Sequence, residues 1–154
     1  MGNDGEPLEL LFAGRAFVAD DSRAAGAGAA PFAQIWRGTG VRKILITRLV
    51  ASSNVANQFI LLRDTTQIAL GTAPTIQNRA FGDTGTPEAQ VRDNESGTPP
   101  TANEFFNVDV PATTPVEVIS ANNPILLATT NSGLTWRLVA AGSTLRYSIF
   151  WVEI

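Results

Sequence analysis

The sequence predicts an all-β fold: a two-sheet antiparallel β-sandwich, jelly-roll-like, with an extended N-terminal arm. Short runs rich in Val, Ile, Thr, Phe and Trp recur over residues 32–154, and turn residues separate them. No segment of helical length shows a helical period of apolar side chains. About ten short strands fit a sandwich most simply, with a small closed barrel as the alternative. The chain has 154 residues, which is enough for one domain.

Residues 1–31 differ in composition from the rest of the chain and predict the arm. Apolar anchors are followed at 24–30 by a Gly- and Ala-rich stretch, which is flexible unless a partner holds it. The predicted partner-binding anchors of the arm are Leu8, Leu11, Phe12 and Phe17. The alternative is an arm that folds back on its own domain.

Residues 32–154 form the predicted sandwich domain, and Gly, Pro, Asn and Asp mark its strand ends. Leu134, Trp136 and Leu138 alternate along one strand, so we expect Trp136 in the core. The predicted strands lie near residues 32–37, 41–51, 57–63, 67–71, 76–81, 104–110, 115–120, 125–130, 134–140 and 144–153.

The last predicted strand is apolar on both faces up to the final residue. One face carries Leu145, Tyr147, Ile149 and Trp151, and the other carries Phe150, Val152 and Ile154. Such a strand is either central in a covered sheet or buried against another subunit. We expect a subunit contact, made by Phe150, Trp151 and Ile154.

Residues 82–103 predict a long loop that projects or wraps a neighbouring subunit. Loops longer than about 15 residues are uncommon and are often functional. Arg92 is its only base among four carboxylates, so we expect Arg92 to contact a partner. A solvated surface loop is the alternative.

The composition argues against most enzyme classes. The chain has no histidine and no cysteine, which removes Ser-His-Asp and thiol nucleophiles and most zinc sites. Asp93, Asn94 and Glu95 resemble part of a calcium loop but lack a spaced third ligand. A carboxylate pair of the glycosidase type stays an alternative. We therefore expect no catalytic residue, no cofactor, no metal and no small-molecule substrate.

Charge and hydropathy point away from nucleic acid and membranes. The net charge is −3 and the basic residues form no stripe, so we expect no nucleic-acid binding. No run approaches the roughly 18 apolar residues of a membrane span. The acidic N-terminus resembles no secretory signal, so we expect synthesis in a cytoplasm without export by a signal of its own.

The order and style of several segments resemble small virion structural proteins of tailed bacteriophages over about residues 32–154. The segments that carry this resemblance are 41–46 with 49–50, 58–64, 123–127, 141–145 and the aromatic ending 150–153. Among these proteins the chain is most similar to head decoration (cement) proteins.

The resemblance implies a structural protein on the capsid surface that bridges neighbouring capsid subunits. Its implied partners are the major capsid protein and further copies of itself, in a homotrimer. The alternative is a tail, fibre or baseplate module that binds a host glycan or another virion protein. For glycan binding the candidate stacking residues are Trp36, Trp136, Tyr147 and Trp151, although such aromatics more often lie in a core or an interface.

Overall fold

The structure is a computed structural model that describes residues 15–40, 42–68, 71–80, 82–94 and 98–154. Within these residues it has eleven strands and no helix, so the predicted all-β class is confirmed. It follows that this part of the chain has no helix suited to crossing a membrane. The strands are β1 Ala16–Ala24, β2 Phe32–Arg37, β3 Ile44–Ser53, β4 Asn57–Asp64, β5 Ile76–Asn78, β6 Gln90–Asn94, β7 Glu104–Val110, β8 Val116–Ile119, β9 Ile125–Leu127, β10 Ser132–Leu138 and β11 Thr144–Glu153.

The strands form two antiparallel sheets that pack face to face, which confirms the predicted sandwich. The first sheet has the order β5-β1-β11-β3-β8, with β9 also paired to β3, and the second has β6-β2-β10-β4-β7. Without β6 and β9, successive strands of the chain alternate between the two sheets. This alternation is compatible with a jelly roll, whose connectivity stays a prediction.

The core lies between the sheets and contains large side chains from β1, β10 and β11. Trp136 is fully buried, as predicted, and its ring meets Tyr147 edge to face at 5.2 Å between centroids. Phe17 stacks on Trp151 at 5.7 Å. Burying each such side chain contributes roughly 1.5–3 kcal/mol. The Trp136–Tyr147 contact joins the two sheets, whereas Phe17 and Trp151 are cross-strand neighbours within the first sheet.

The outer face of the second sheet is also covered, because the chain after β4 folds over β2. Gln34 Nε2 donates to Thr66 O at 3.0 Å and to Asp64 Oδ2 at 3.1 Å. The backbone N–H of Ile68 donates in return to Gln34 Oε1 at 3.0 Å. Every residue of β2 is therefore buried, although the strand lies second from the edge.

The structure differs from the predicted arm at residues 16–24, which form β1 inside the first sheet between β5 and β11. Phe17 has no exposed surface and lies in the core of its own subunit. The physical reason is that residues 16–19 are all apolar, which suits a strand buried in a sheet, and Phe17 and Ala19 face the core. Residues 1–14 lie outside the described residues.

The Gly- and Ala-rich stretch that follows β1 contacts its own domain. This agrees with the alternative prediction, in which the arm folds back on its own domain. Ala25 N donates to Ser143 O at 3.0 Å, and Gly142 N donates to Ala29 O at 2.8 Å. Gly142 adopts a φ of 70°, which a side chain disfavours and glycine tolerates. These bonds attach the stretch to the turn between β10 and β11.

Part of the predicted loop 82–103 is also ordered as a strand. Gln90–Asn94 forms β6 and pairs with β2 at the edge of the second sheet. The strand predicted near 67–71 is absent at 67–68, and residues 69–70 lie outside the described part. The described loop is thus divided into two shorter connections, before and after β6.

Candidate partner-binding groove

Three large apolar side chains are exposed on β7 and β9, and two of them, Phe105 and Leu126, line the same groove. Phe105 and Phe106 are 45% and 39% exposed, and Leu126 is 46% exposed. β7 is the last strand of the second sheet, whereas β9 pairs with the beginning of β3 in the first sheet. Exposed apolar side chains that cluster, rather than occur singly, mark sites where a partner binds.

A groove of about 570 Å³ runs between β9 and the beginning of β7, and we call it the β7–β9 groove. Its apolar lining residues are Phe105, Pro124, Ile125, Leu126 and Leu134, and its charged ones are Arg63 and Asp64. The Asp64 carboxylate already accepts hydrogen bonds from Gln34 and Thr135, whereas Arg63 is exposed. The guanidinium of Arg63 lies over the Phe105 ring at 5.7 Å from the centroid. The groove therefore offers an apolar floor with a cation beside it, which suits an apolar group next to an anionic one.

A bulge presents the two phenylalanines. Leu61 pairs with Phe106 and Leu62 with Glu104, so Phe105 is an extra residue on β7. Bulges bend a strand and redirect its side chains. Asn103 begins this geometry with a φ of 62°, a left-handed conformation that asparagine adopts more readily than most residues.

A buried ionic cluster joins the two sheets on the opposite side of the molecule, where β6 meets β1 and β11. The hydroxyl of Tyr147 donates to Asp93 Oδ2 at 2.7 Å, and Arg23 Nε lies 2.6 Å from Asp93 Oδ1. Arg23 also contacts Asp21 at 2.8 Å. Burial raises the pKa of Asp93 to about 6, although the bond from Tyr147 favours its ionised form.

Asp93 has no exposed surface, and both of its oxygens face protein groups. Burial and the neighbouring carboxylate also raise the pKa of the Tyr147 hydroxyl above its usual range, so it stays a donor. The cluster therefore connects β1, β6 and β11 and does not present a carboxylate to a substrate.

A second buried carboxylate holds the connection before β6. Glu153 Oε1 accepts hydrogen bonds from the backbone N–H groups of Glu88 at 2.8 Å and Ala89 at 2.9 Å. Trp151 Nε1 donates to the same oxygen at 3.4 Å, and Arg15 lies 4.0 Å from Oε2. The end of β11 thereby fixes the chain that leads into β6.

The predicted partner-binding residues do not converge in the structure. Trp151 is fully buried in its own core, like Phe17, so neither side chain can reach a partner surface in this fold. Phe150 is partly exposed on the outer face of the first sheet, with Arg48 and Arg79 over its ring at 5.7 and 5.2 Å. The two-faced β11 thus lies centrally in the first sheet, with one face in the core and an outer face that is only partly buried.

The other predicted residues also lie away from the groove. Arg92 is half-buried on β6 and donates to Ile68 O at 3.4 Å. Ile154 is 47% exposed at the end of the chain, and its backbone pairs with Lys43. Leu8, Leu11 and Phe12 lie outside the described residues.

Sequence reasoning missed the aromatic pair on β7 and Leu126. A signal was present, because adjacent phenylalanines in a strand point to opposite faces unless a bulge intervenes. The strand also has polar residues at 104, 107 and 109, so one of its faces is exposed. At least one of the two phenylalanines is therefore expected to be exposed or to lie in a bulge. Leu126 lies in a fully apolar run and carries no comparable signal.

The aromatic platform considered for glycan stacking does not form. Trp36, Trp136 and Trp151 are 7%, 0% and 0% exposed, and Tyr147 is 3% exposed. Their ring faces are covered by their own domain, so a sugar cannot stack on them.

The described residues contain no group of three or more carboxylates placed to hold a metal ion. Comparisons of the chain with protein-family models, with curated proteins and with solved structures gave no match.

Proposed function

We propose that this chain is a structural virion protein that decorates and stabilises a bacteriophage capsid by bridging neighbouring capsid subunits. The β7–β9 groove is the observation that supports the proposal. It places two large apolar side chains, Phe105 and Leu126, side by side in solvent. A surface of this kind is covered when a protein partner binds.

The expected strength of a single contact suits a decoration protein. Covering a phenylalanine or leucine contributes about 1.5–3 kcal/mol, and association costs at least several kcal/mol. The groove alone thus supports modest affinity per copy. Many copies on one shell, each touching two capsid subunits, would convert modest contacts into strong retention.

The chemistry of the groove describes the capsid segment that it would bind. Apolar side chains from that segment fill the space over Phe105 and Leu126. A carboxylate beside them pairs with Arg63, which is exposed at the same site. The proposed partner is therefore an acidic and apolar surface segment of the major capsid protein.

The resemblance of residues 32–154 to phage decoration proteins supports the location on the capsid surface and synthesis in the host cytoplasm. The two-sheet architecture adds support of a weaker kind, since jelly rolls and related sandwiches are common in viral shells and also in lectins. The homotrimer rests on the resemblance alone.

The test is binding to capsids of the phage that carries the gene, prepared without this protein. Wild-type protein should bind in a copy number comparable to that of the major capsid protein. Phe105→Ser and Leu126→Ser should each weaken binding about tenfold, as expected when a buried apolar contact of 1.4 kcal/mol or more is lost.

Val139→Ser is the matched control, because Val139 is 44% exposed and does not line the groove. It should bind capsids like the wild type, and all three variants should keep the wild-type unfolding midpoint. A handful of copies confined to the tail would replace the proposal with the tail-module alternative. Equal capsid binding by all variants would remove the groove from the contact.

A further inference from the structure

We propose that two copies of this chain associate through β7, edge to edge and antiparallel, about a two-fold axis at Asn107. The pairing would join the second sheets of both copies into one continuous sheet. This inference concerns self-association and rests on the backbone edge of β7. A two-fold dimer would replace the homotrimer that the resemblance implies, and it would place Phe105, which also lines the β7–β9 groove, opposite Asp109 of the second copy.

β7 has one paired and one open edge among the described residues. It is the terminal strand of the second sheet and pairs only with β4. Its residues 104–107 are exposed and include the two phenylalanines. An exposed edge strand with apolar residues presents free N–H and C=O groups and is a template for pairing with another strand.

The direction of the backbone groups follows from bonds at both sides of β4. Arg63 N donates to Asn103 O at 3.0 Å, so the backbone N–H and C=O groups of residue 63 point toward β7. Gln58 O accepts from Val139 N at 3.2 Å, so the backbone N–H and C=O groups of residue 58 point toward β10. Because backbone direction alternates along a strand, residues 59 and 61 also point toward β7.

The register between β7 and β4 shows which β7 residues point their backbone groups toward β4 and which point them toward the open edge. Val108 is opposite Phe59 and Phe106 is opposite Leu61, so Val108 and Phe106 exchange bonds with β4. The N–H and C=O groups of Asn107 therefore point to the open edge. In an antiparallel pair centred on this residue, the two copies of Asn107 exchange two backbone hydrogen bonds.

The side chains in this register complement themselves. Phe106 faces Val108 of the second copy on both sides of the axis, which forms two apolar cross-strand pairs. Glu104 faces Val110 and Phe105 faces Asp109, so no two carboxylates oppose each other. The register also pairs every residue of β7, whereas a shift toward the C-terminus brings Pro111 into the ladder. These features favour a second copy as the occupant of the edge.

The test uses the absence of cysteine from the chain. In Asn107→Cys the two thiols of the proposed dimer lie on directly opposed residues, with Cα atoms about 5.5 Å apart, within disulfide reach. Asp109→Cys is the matched control on the same strand. The two copies of residue 109 are four residues out of register, about 13 Å apart along the strands, beyond disulfide reach.

Mild oxidation should give covalent dimer from Asn107→Cys at least tenfold faster than from Asp109→Cys. The unmodified protein should have the mass of two chains by light scattering at micromolar concentration. Asn107→Pro should have the mass of one chain with an unchanged circular dichroism spectrum, because the N–H it removes points away from β4.

A monomeric or trimeric mass for the unmodified protein would overturn the proposal, as would equal crosslinking of the two cysteine variants. Asn107→Thr is the control for Asn107→Pro, because threonine keeps the backbone N–H and favours a strand. It should remain dimeric, and a monomeric mass would show that loss of the amide side chain alone prevents association. Capsid binding is measured separately, so a dimer that binds no capsid overturns only the proposed function.

Discussion

Asp93 is the residue at which burial and charge oppose each other most directly. It has no exposed surface, yet it lies against the guanidinium of Arg23 and the hydroxyl of Tyr147. Loss of water around the carboxylate is the larger effect, and it raises the pKa of Asp93 above 3.8 to about 6. The ionised cluster is thus a cost to the fold above this pH, partly offset by its partners.

The raised pKa predicts how stability changes with pH. The folded state binds the Asp93 proton more tightly than the unfolded state, so this residue makes the free energy of unfolding fall as pH rises from about 4 to about 6. The shift corresponds to at most about 3 kcal/mol, at 1.36 kcal/mol per pKa unit.

Urea unfolding of the wild type and Asp93→Asn between pH 4 and pH 7 measures this contribution. The wild type should lose stability relative to the variant across that range, and the difference should level off above about pH 6.5. A constant difference at every pH would contradict the prediction. Comparison of the two proteins cancels the titration of the other carboxylates.

Gly133 is a second residue at which a small change should have a large effect. A Cβ at this position would lie 2.8 Å from Trp36 Cε3 and 2.9 Å from Ile35 O. Gly133→Ala should therefore destabilise the protein by about 1–3 kcal/mol through overpacking. At Gly38 a Cβ would meet Trp36 only at 3.8 Å, so Gly38→Ala should change the free energy of unfolding little. Equal unfolding midpoints for the two variants would show that the Trp36 ring moves without cost.

At the scale of elements, β11 links the middle of the first sheet to the chain that leads into β6. It lies between β1 and β3, and its residue Glu153 caps two backbone N–H groups ahead of β6. Glu153→Ala should leave both donors and the Trp151 indole without that acceptor, which costs about 1–3 kcal/mol. Amide hydrogen exchange at residues 88–89 should also be faster in Glu153→Ala than in the wild type.

Glu117→Ala is the control for Glu153→Ala. Glu117 pairs with Arg48 at 2.8 Å, but both side chains are more than a third exposed. The loss of such a surface pair costs about 0–1 kcal/mol. If the two variants were equally stable, the buried bonds of Glu153 would contribute no more than a surface contact.

The elements also show where sequence patterns predict structure and where they do not. Period-two alternation predicts Trp136 in the core, as observed, whereas the second apolar face of β11 lies on the outer side of the first sheet and is only partly buried at Phe150. The arm prediction differs from the structure at β1, because the Asp and Arg residues and the Gly-rich stretch after them are typical of a flexible segment, whereas the apolar residues 16–19 are typical of a buried strand. The choice between a covered sheet and a subunit contact depends on long-range packing, which local periodicity does not contain.

The groove was beyond prediction for the same reason. Phe105 and Leu126 belong to different sheets and come together only when β9 pairs with β3 and β7 with β4. The bulge that makes Phe105 an extra residue depends on the register of two strands about forty residues apart. A sequence pattern can suggest that a residue is exposed, but not which distant residue lies beside it.

At the scale of the whole molecule, the described sandwich closes at Arg15, whose carbonyl accepts the N–H of Glu153 at 3.0 Å. The strands and both buried carboxylate clusters lie within residues 15–154. Removal of residues 1–14 should therefore leave the unfolding midpoint unchanged. If Leu8, Leu11 and Phe12 contact the capsid, as the composition of the arm predicts, the same deletion should weaken capsid binding at least tenfold.

The two readouts of this deletion separate an arm from a structural segment. Unchanged stability with weakened capsid binding assigns residues 1–14 to partner contact, because their apolar side chains then serve only the assembled particle. A lowered midpoint would instead assign them to the fold of their own subunit, like the neighbouring β1. Leu8→Ser combined with Leu11→Ser in the full chain provides the matched control. It should reproduce the binding loss without shortening the chain, and unaltered binding by both proteins would remove the arm from the capsid contact.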